Sequence, residues 1–246
     1  MKTQEEGSIT AKRGFKNEDY VISKFNSWRE DSDAQQWLVA MDYDLKEIDF
    51  VKAEKVIGNY KADIQVQVTI KLKKCIDAEN IQVKLVSNKS GFNQIDKRWV
   101  DKYVEMWNIP TDVTYLLKQY TGEVLPIRKT KDIRRTLANE FSQEEQELLL
   151  NWIEDNKSLI VSDILKGRGR FAAEWMLVIR RVKENEDWVL KSINECINFF
   201  GNGSVMITPR GNISIGRITM QRKGGDGGRD SAKMLQFKIN PTQLFQ

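Results

Sequence analysis

The sequence predicts an α/β fold, and three observations carry that prediction. Within residues 61–88, KADIQVQVTI and IQVKLVSN each alternate apolar and polar residues with period two, joined by a polar stretch, KLKKCIDAEN. Segments with apolar residues at helical spacing lie on both sides of this hairpin. The last fifty residues return to short β-forming runs punctuated by glycine: SVMITPRGN, ISIGRITMQRKGGDGGRD and MLQFKIN.

In chain order, the first dozen residues are polar and read as loose. A helix opens in GFKNEDYVISKFNSW, with Asn17 as N-cap and Val21, Phe25 and Trp28 at i, i+4 and i+7. Short helices are expected over 35–41 and 47–57, with Gly58 and Asn59 ending that region before the hairpin. In the first strand Ile64, Val66, Val68 and Ile70 share a face; in the second Ile81, Val83 and Leu85 do, leaving Gln82 and Lys84 together on the other. Lys89, Ser90 and Gly91 predict a turn carrying Phe92, and Ile95, Trp99, Tyr103 and Met106 a helix ending near Pro110. Residues 112–120 read as helix, and 128–135 as a basic loop or helix. Ser142 and Glu145 form a capping box ahead of another helix. A helix over 159–165 leads into KGRGRFAAEW, an exposed glycine-spaced turn with Arg168 and Arg170, and then a buried strand over 175–182.

Composition narrows the chemistry. A chain of 246 residues supports a sizeable core. We read it as one domain, residues 1–246, with a basic C-terminal part at about 164–246. That part holds 14 Lys/Arg against 7 Asp/Glu, while the rest holds 25 against 28, so the basic excess points to a polyanion or to a solvated lysine-rich surface. No window approaches a membrane span, and no signal-peptide core opens the chain. The two cysteines, Cys75 and Cys196, are too few for a disulfide framework and fit a reducing cytoplasm. There is no histidine, which excludes His-dependent triads and imidazole metal sites; a metal here is held by oxygen, favouring magnesium, manganese or calcium. GKS/T is missing, so the glycine-spaced turn is not a P-loop.

The candidate site follows from the hairpin. Asp63 stands where the first strand begins, and Gln82 and Lys84 share one face of the second. An acid able to hold a hard cation, beside a carboxamide and an ammonium, suits metal-assisted phosphodiester cleavage. Taken alone the pattern also describes an ordinary strand start and a solvated face. Glu18 either complements its helix dipole or reaches toward the hairpin from the neighbouring helix. Phe92 either packs on its own helix or acts as a wedge between base pairs. Gln94 and Lys97, on the first turn of the expected helix, are placed to reach base edges or phosphates. Arg168 and Arg170 suit phosphate contacts. Gln221, Arg222 and Lys223, just before the glycine run around Asp226, offer groups for major-groove readout or belong to a glycine-rich hairpin with solvated charges.

Together GFKNE, KADI, IQVKLVSNKSGFNQIDK, FSQEEQ, DILKGRGRFAAEW, GRITMQRKGGDGGR and MLQFKINPTQLF resemble the type II restriction endonucleases of the PD-(D/E)xK superfamily. More closely, the chain is similar to the small HinP-type GCGC cutters, cousins of the MspI group. The resemblance runs from about residue 14 to 245 and implies a mixed central β-sheet flanked by helices. In that family the site is Ser-Asp, eighteen residues, then Gln-x-Lys; here residues 64 to 81 separate Asp63 from Gln82. The resemblance implies that Asp63, Gln82 and Lys84 take the family's metal-binding and catalytic positions; we expect Asp63, the main-chain carbonyl of Val83 and phosphate oxygens to hold Mg²⁺, with Mn²⁺ able to substitute and Gln82 and Glu18 assisting, and Lys84 to orient or help deprotonate the attacking water. It implies a cytoplasmic bacterial enzyme acting on double-stranded DNA, with no membrane partner. A palindromic site favours a homodimer over a monomer nicking each strand in turn, and a cognate DNA methyltransferase is the functional, non-physical partner. Two departures stand out: Ala62 replaces the family's serine, and the superfamily's second acid is the uncharged Gln82. They keep two alternatives open, a structure-selective repair nuclease of the same fold and a DNA-binding regulator with a decayed site.

Overall fold

The chain in a computed structural model is described over residues 17–58, 60–70, 75–87, 91–225 and 229–246. Five expectations touch residues outside that description: the loose N-terminus, Asn59, residues 71–74 of the polar connection, the Lys89–Ser90 part of the turn, and Asp226 in the glycine run. The polypeptide divides into two compact units, one built mainly from 7–91 and 166–196 with the last six residues, the other from 92–165 and 197–240.

The first unit holds α1 over 17–26, α2 (Ser32–Ala40), β1 (Ile48–Lys55), β2 (Ile64–Ile70), β3 (Cys75–Val86), β5 (Trp175–Val182) and β6 (Asn185–Ser192). Its five-stranded sheet runs β1-β2-β3-β5-β6. It is mixed because β3 and β5 pair in parallel while the other neighbours are antiparallel. One face packs under the helices: Val21 and Phe25 of α1 and Trp37 and Leu38 of α2 meet Ile64, Val66, Val68, Ile81 and Val83 in one buried cluster. Each such side chain contributes about 1.5–3 kcal/mol of apolar transfer free energy. The expected α1 stripe is therefore present and buried. Asp31 caps α2 by accepting from the Ala34 N–H at 2.9 Å. Lys24 ties the two helices together, ion-paired to Asp31 at 3.0 Å and Asp33 at 2.8 Å. Across the sheet, a 3-10 turn, Pro241–Phe245, approaches β3, β5 and β6, with the Arg180 guanidinium 4.1 Å from the Phe245 ring centroid.

The second unit holds β4 (Asn93–Arg98), α3 (Val100–Trp107), α4 (Thr111–Thr121), α5 (Gln143–Asp155), α6 (Lys157–Leu165), β7 (Val205–Ile207), β8 (Ile213–Ile215), β9 (Ile218–Arg222) and β10 (Leu235–Ile239). Between β6 and β7, α7 (Ile193–Gly201) passes from one unit to the other. The sheet here is β4-β10-β9-β8-β7, antiparallel throughout. Its core centres on Tyr103, stacked on Trp107 at 4.7 Å and edge-on to Phe237 at 5.5 Å. The Tyr103 hydroxyl donates to Asp96 at 2.5 Å, and the Trp107 indole N–H donates to Asp163 at 2.9 Å. Burial, reinforced by the Asp96 charge, pushes the Tyr103 phenol well above its ordinary pKa. The predicted capping box is present, with Ser142 Oγ accepting from the Glu145 N–H and Glu145 reaching back to the Ser142 N–H at 2.8 Å.

The fold class thus holds, with three corrections of detail. Where a helix was expected over 47–57, residues 48–55 form an edge strand: a register shift between Ile48 and Phe50 leaves Ile48, Val51 and Ala53 buried, a spacing that imitates helical periodicity. Residues 93–98 are also strand, so Gln94 and Lys97 sit on β4 and the helix starts only at Val100. The second hairpin strand begins at Cys75, taking in half of the stretch read as connection. The short strands expected in the last fifty residues are present as β7 to β10, but their assembly with β4 into a second, wholly antiparallel sheet, like β6 and α7, was not expected.

Tyr103→Phe should leave the buried Asp96 short of its closest donor, while Arg98 still bonds it from the side. We expect a loss of about 1–3 kcal/mol in urea denaturation. A variant as stable as the parent would mean that the hydroxyl does not hold this core.

Candidate active site and nucleic-acid interface

The antiparallel register of β2 on β3 assembles the hairpin site. Ile64 pairs with Ile81, so Asp63, one residue before β2, lies level with Gln82. Its N–H donates to the Ile81 carbonyl at 2.9 Å, and its Oδ2 accepts from the Val83 N–H at 2.7 Å. The acid is therefore held at both main chain and side chain. Lys84 Nζ stands 3.9 Å from the same Oδ2, with side-chain exposures of 14% and 27%. Gln82 is 3% exposed; its Nε2 donates to the Lys61 carbonyl at 3.2 Å, while its Oε1 is buried with no hydrogen-bond partner among the described residues.

Glu18 enters from the start of α1. It is ion-paired to Lys55 at 3.2 Å, and Lys55 is the β1 partner of Ile64, next in sequence to Asp63. Burial raises the Glu18 carboxyl pKa, and the Asp63 charge raises it further, while the Lys55 ammonium opposes both. The structure thus brings Asp63, Gln82 and Lys84 together, with Glu18 electrostatically linked to them.

These residues fit an oxygen-held cation. Among the described residues no three Asp, Glu or Cys side chains form a metal-binding group. The donors are instead two carboxylates of unequal commitment, main-chain carbonyls and a carboxamide oxygen. Magnesium takes one or two carboxylates and completes its shell with water and phosphate oxygens. The observation that fits best is Gln82 Oε1, since a buried acceptor left unbonded costs about 1–3 kcal/mol until something satisfies it.

The glycine-spaced turn is fixed to the same strands. The Ala62 N–H approaches the Phe171 carbonyl at 3.4 Å, and Asn80 Nδ2 donates to the Arg170 carbonyl at 3.1 Å. Glu174 accepts from the Asn80 N–H at 2.8 Å. Gly167 has φ +75, and a Cβ there would meet the Lys61 side chain at 2.4 Å, so only glycine lets this turn close on Lys61. Arg168 and Arg170 are both exposed on it. Sequence reasoning missed Asn80 and Glu174, which lie in the stretch mistaken for connection and just beyond the turn.

The remaining candidates lie in the second unit. Phe92 is 63% exposed just ahead of β4. A bulge in β4 against β10 pairs Lys97 with Gln236 and Gln94 with Lys238, so Gln94 and Lys97, three residues apart, share one face. Gln221 pairs with Gln236 from the other side and joins that face. Arg222 pairs with the buried Leu235 and turns away. Its Nε donates to the Ala232 carbonyl at 3.0 Å, and burial, with Arg135 and Arg134 nearby, lowers its pKa. Lys223 continues from the strand end, its N–H bonded to the Met234 carbonyl at 2.8 Å. Gln236 and Lys238, which complete the polar face, carry no local pattern that would have singled them out.

No helix among the described residues is long and apolar enough to cross a membrane. No curated protein sequence matches the chain. Among solved structures it is similar to restriction endonuclease MspI in complex with its cognate DNA, with a TM-score of 0.65 and 15% identity, covering 97% of this chain and 100% of that one. At that identity the likeness speaks for the fold. Residues 41–245, which take in the hairpin, the glycine-spaced turn and both sheets, match the family model described as R.HinP1I restriction endonuclease. The chain belongs to that family and is a type II restriction endonuclease, a site-specific deoxyribonuclease.

Proposed function

We propose that this enzyme cleaves double-stranded DNA at GCGC with the help of Mg²⁺, leaving 5′-phosphate and 3′-hydroxyl ends. The observation that carries the reading is the hairpin constellation: Asp63 bonded to the Val83 N–H, Lys84 beside it, and the buried, unsatisfied Gln82 Oε1. Asp63, Gln82 and the Val83 carbonyl would hold the cation, with Glu18 assisting; when bound, it would supply Lewis-acid charge to the phosphate. Lys84 orients the attacking water and balances negative charge as it grows on the pentacovalent phosphorus. Asp63 helps to hold the Lys84 ammonium in place through their 3.9 Å contact. Mn²⁺ should substitute, being another oxygen-preferring cation.

For recognition, GCGC offers guanine O6 and N7 acceptors and cytosine N4 donors in the major groove, which suits the set Gln94, Lys97, Gln221, Arg222 and Lys223. Arg222 is the member of this set that its register supports least. Arg168 and Arg170, exposed on a rigidly held turn, grip phosphates. Phe92 wedges into the central CG step, where a pyrimidine–purine stack opens most readily. A two-fold site favours two copies acting on one duplex. A cytoplasmic setting with a cognate methyltransferase follows, because an unprotected genome would carry the same short site.

Plasmid digested with and without Mg²⁺, followed by sequencing of the ends, tests the activity. Discrete fragments cut within GCGC are expected, and neither Asp63→Ala nor Lys84→Ala should cut while both still bind the duplex. Cutting only at branched DNA would favour a repair nuclease, and binding without turnover a regulator whose Ala62 and Gln82 mark decay. The division of labour has its own test. Lys97→Ala should lose about 1–3 kcal/mol of discrimination between GCGC and a one-base variant. Arg168→Ala should weaken both duplexes alike and flatten the salt dependence. Equal losses for both duplexes in both variants would refute the assignment.

A further inference from the structure

Gln236 has no role in the account so far, yet it occupies the middle of the polar face. It lies on β10, the strand between β4 and β9, and is 5% exposed. Its Nε2 donates to Gln94 Oε1 at 2.6 Å. Its Oε1 accepts from Gln221 Nε2 at 3.5 Å, the weaker of the two links. Three carboxamides on three adjacent strands therefore form one directed chain, from Gln221 through Gln236 to Gln94.

The direction has a chemical consequence. A carboxamide has one donor end and one acceptor end, so fixing one end decides what the other presents. Gln94 spends its oxygen inward and offers its NH₂ outward, which matches an acceptor such as guanine O6 or N7. Gln221 spends its NH₂ inward and offers its oxygen outward, which matches a donor such as cytosine N4. Were the Gln236 amide turned over, it would offer each neighbour the wrong end, and both would have to turn with it. A glutamine on a surface strand is otherwise free to present either end.

We propose that Gln236 is a positioning residue for sequence recognition: buried and touching no base, it sets Gln94 as a donor and Gln221 as an acceptor. The inference rests on the reading of this face as the base-contacting surface.

The experiment measures binding of the whole protein, without divalent metal, to a GCGC duplex and to duplexes changed at one base pair. Wild type, Gln94→Ala, Gln236→Met and the double variant are compared. Gln94→Ala should lose about tenfold or more of the preference for GCGC. Gln236→Met should lose a similar factor, and the double variant no more than Gln94→Ala alone. In Gln236→Glu, a carboxylate that only accepts should draw the Gln94 NH₂ inward, so the preference at that base pair shifts from an acceptor toward a donor. Full preference in Gln236→Met, or losses that simply multiply in the double variant, would overturn the positioning role while leaving the reading face intact. Full preference in Gln94→Ala would overturn both. Should Gln236→Met fail to fold, side-chain amide exchange in the wild type decides: slow exchange of the Gln236 NH₂ is expected, and exchange as fast as that of an exposed glutamine would overturn the role.

Discussion

The register between β2 and β3 is the constraint on which the candidate site depends. Because side chains alternate along a strand, a slip of one residue would send Gln82 and Lys84 into the apolar cluster and Val83 out of it. The cluster of Ile64, Val66, Val68, Ile81 and Val83 under α1 and α2 makes that slip costly. The same pairing brings Asp63 level with Gln82 and within 2.7 Å of the Val83 N–H. The apolar face of the hairpin thus holds the polar face in place, and helix packing on one side of the sheet fixes chemistry on the other.

The polar groups do not all gain from this arrangement. Gln82 is buried with one end bonded and the other unsatisfied, and Glu18 is buried enough to disfavour its charge. Both terms oppose stability in the protein alone. Such groups make sense where a cation and phosphate oxygens complete them, and the fold then sacrifices some stability to keep the site preorganised. The polar face of the second unit is different, because its buried Gln236 is matched at both ends. There the fold invests in orientation rather than in an unfilled valence.

Much of this was legible in the chain. Alternation marked β2 and the second half of β3, and with them the shared face of Gln82 and Lys84; apolar spacing marked α1, and the Ser142–Glu145 pair its helix. The errors have separate physical sources. A bulge near Phe50 inserts an extra residue into β1, so Ile48 and Val51 fall three apart and the strand imitates a helix. Ile95, Trp99 and Tyr103 looked like one helical stripe because they fall four apart, although Ile95 belongs to a strand and Tyr103 to the helix after it. Gln236 and Asn80 were invisible because their importance comes from partners far along the chain: Gln94 and Gln221 for one, Arg170 and Glu174 for the other. Sequence-distant hydrogen bonds leave no periodic trace.

On the function proposed above, Gln82 serves a cation more than it serves the fold. This central claim is tested most directly by calorimetric titration of Mg²⁺ into Lys84→Ala protein bound to a GCGC duplex, with and without Gln82→Met. The account predicts that Gln82→Met weakens Mg²⁺ binding by about tenfold or more. It also predicts that the metal-free variant is about as stable, since removing the unsatisfied carbonyl offsets the loss of the Nε2 bond to the Lys61 carbonyl. Unchanged Mg²⁺ affinity, together with a destabilised metal-free protein, would show that Gln82 serves the hairpin instead and would contradict the account.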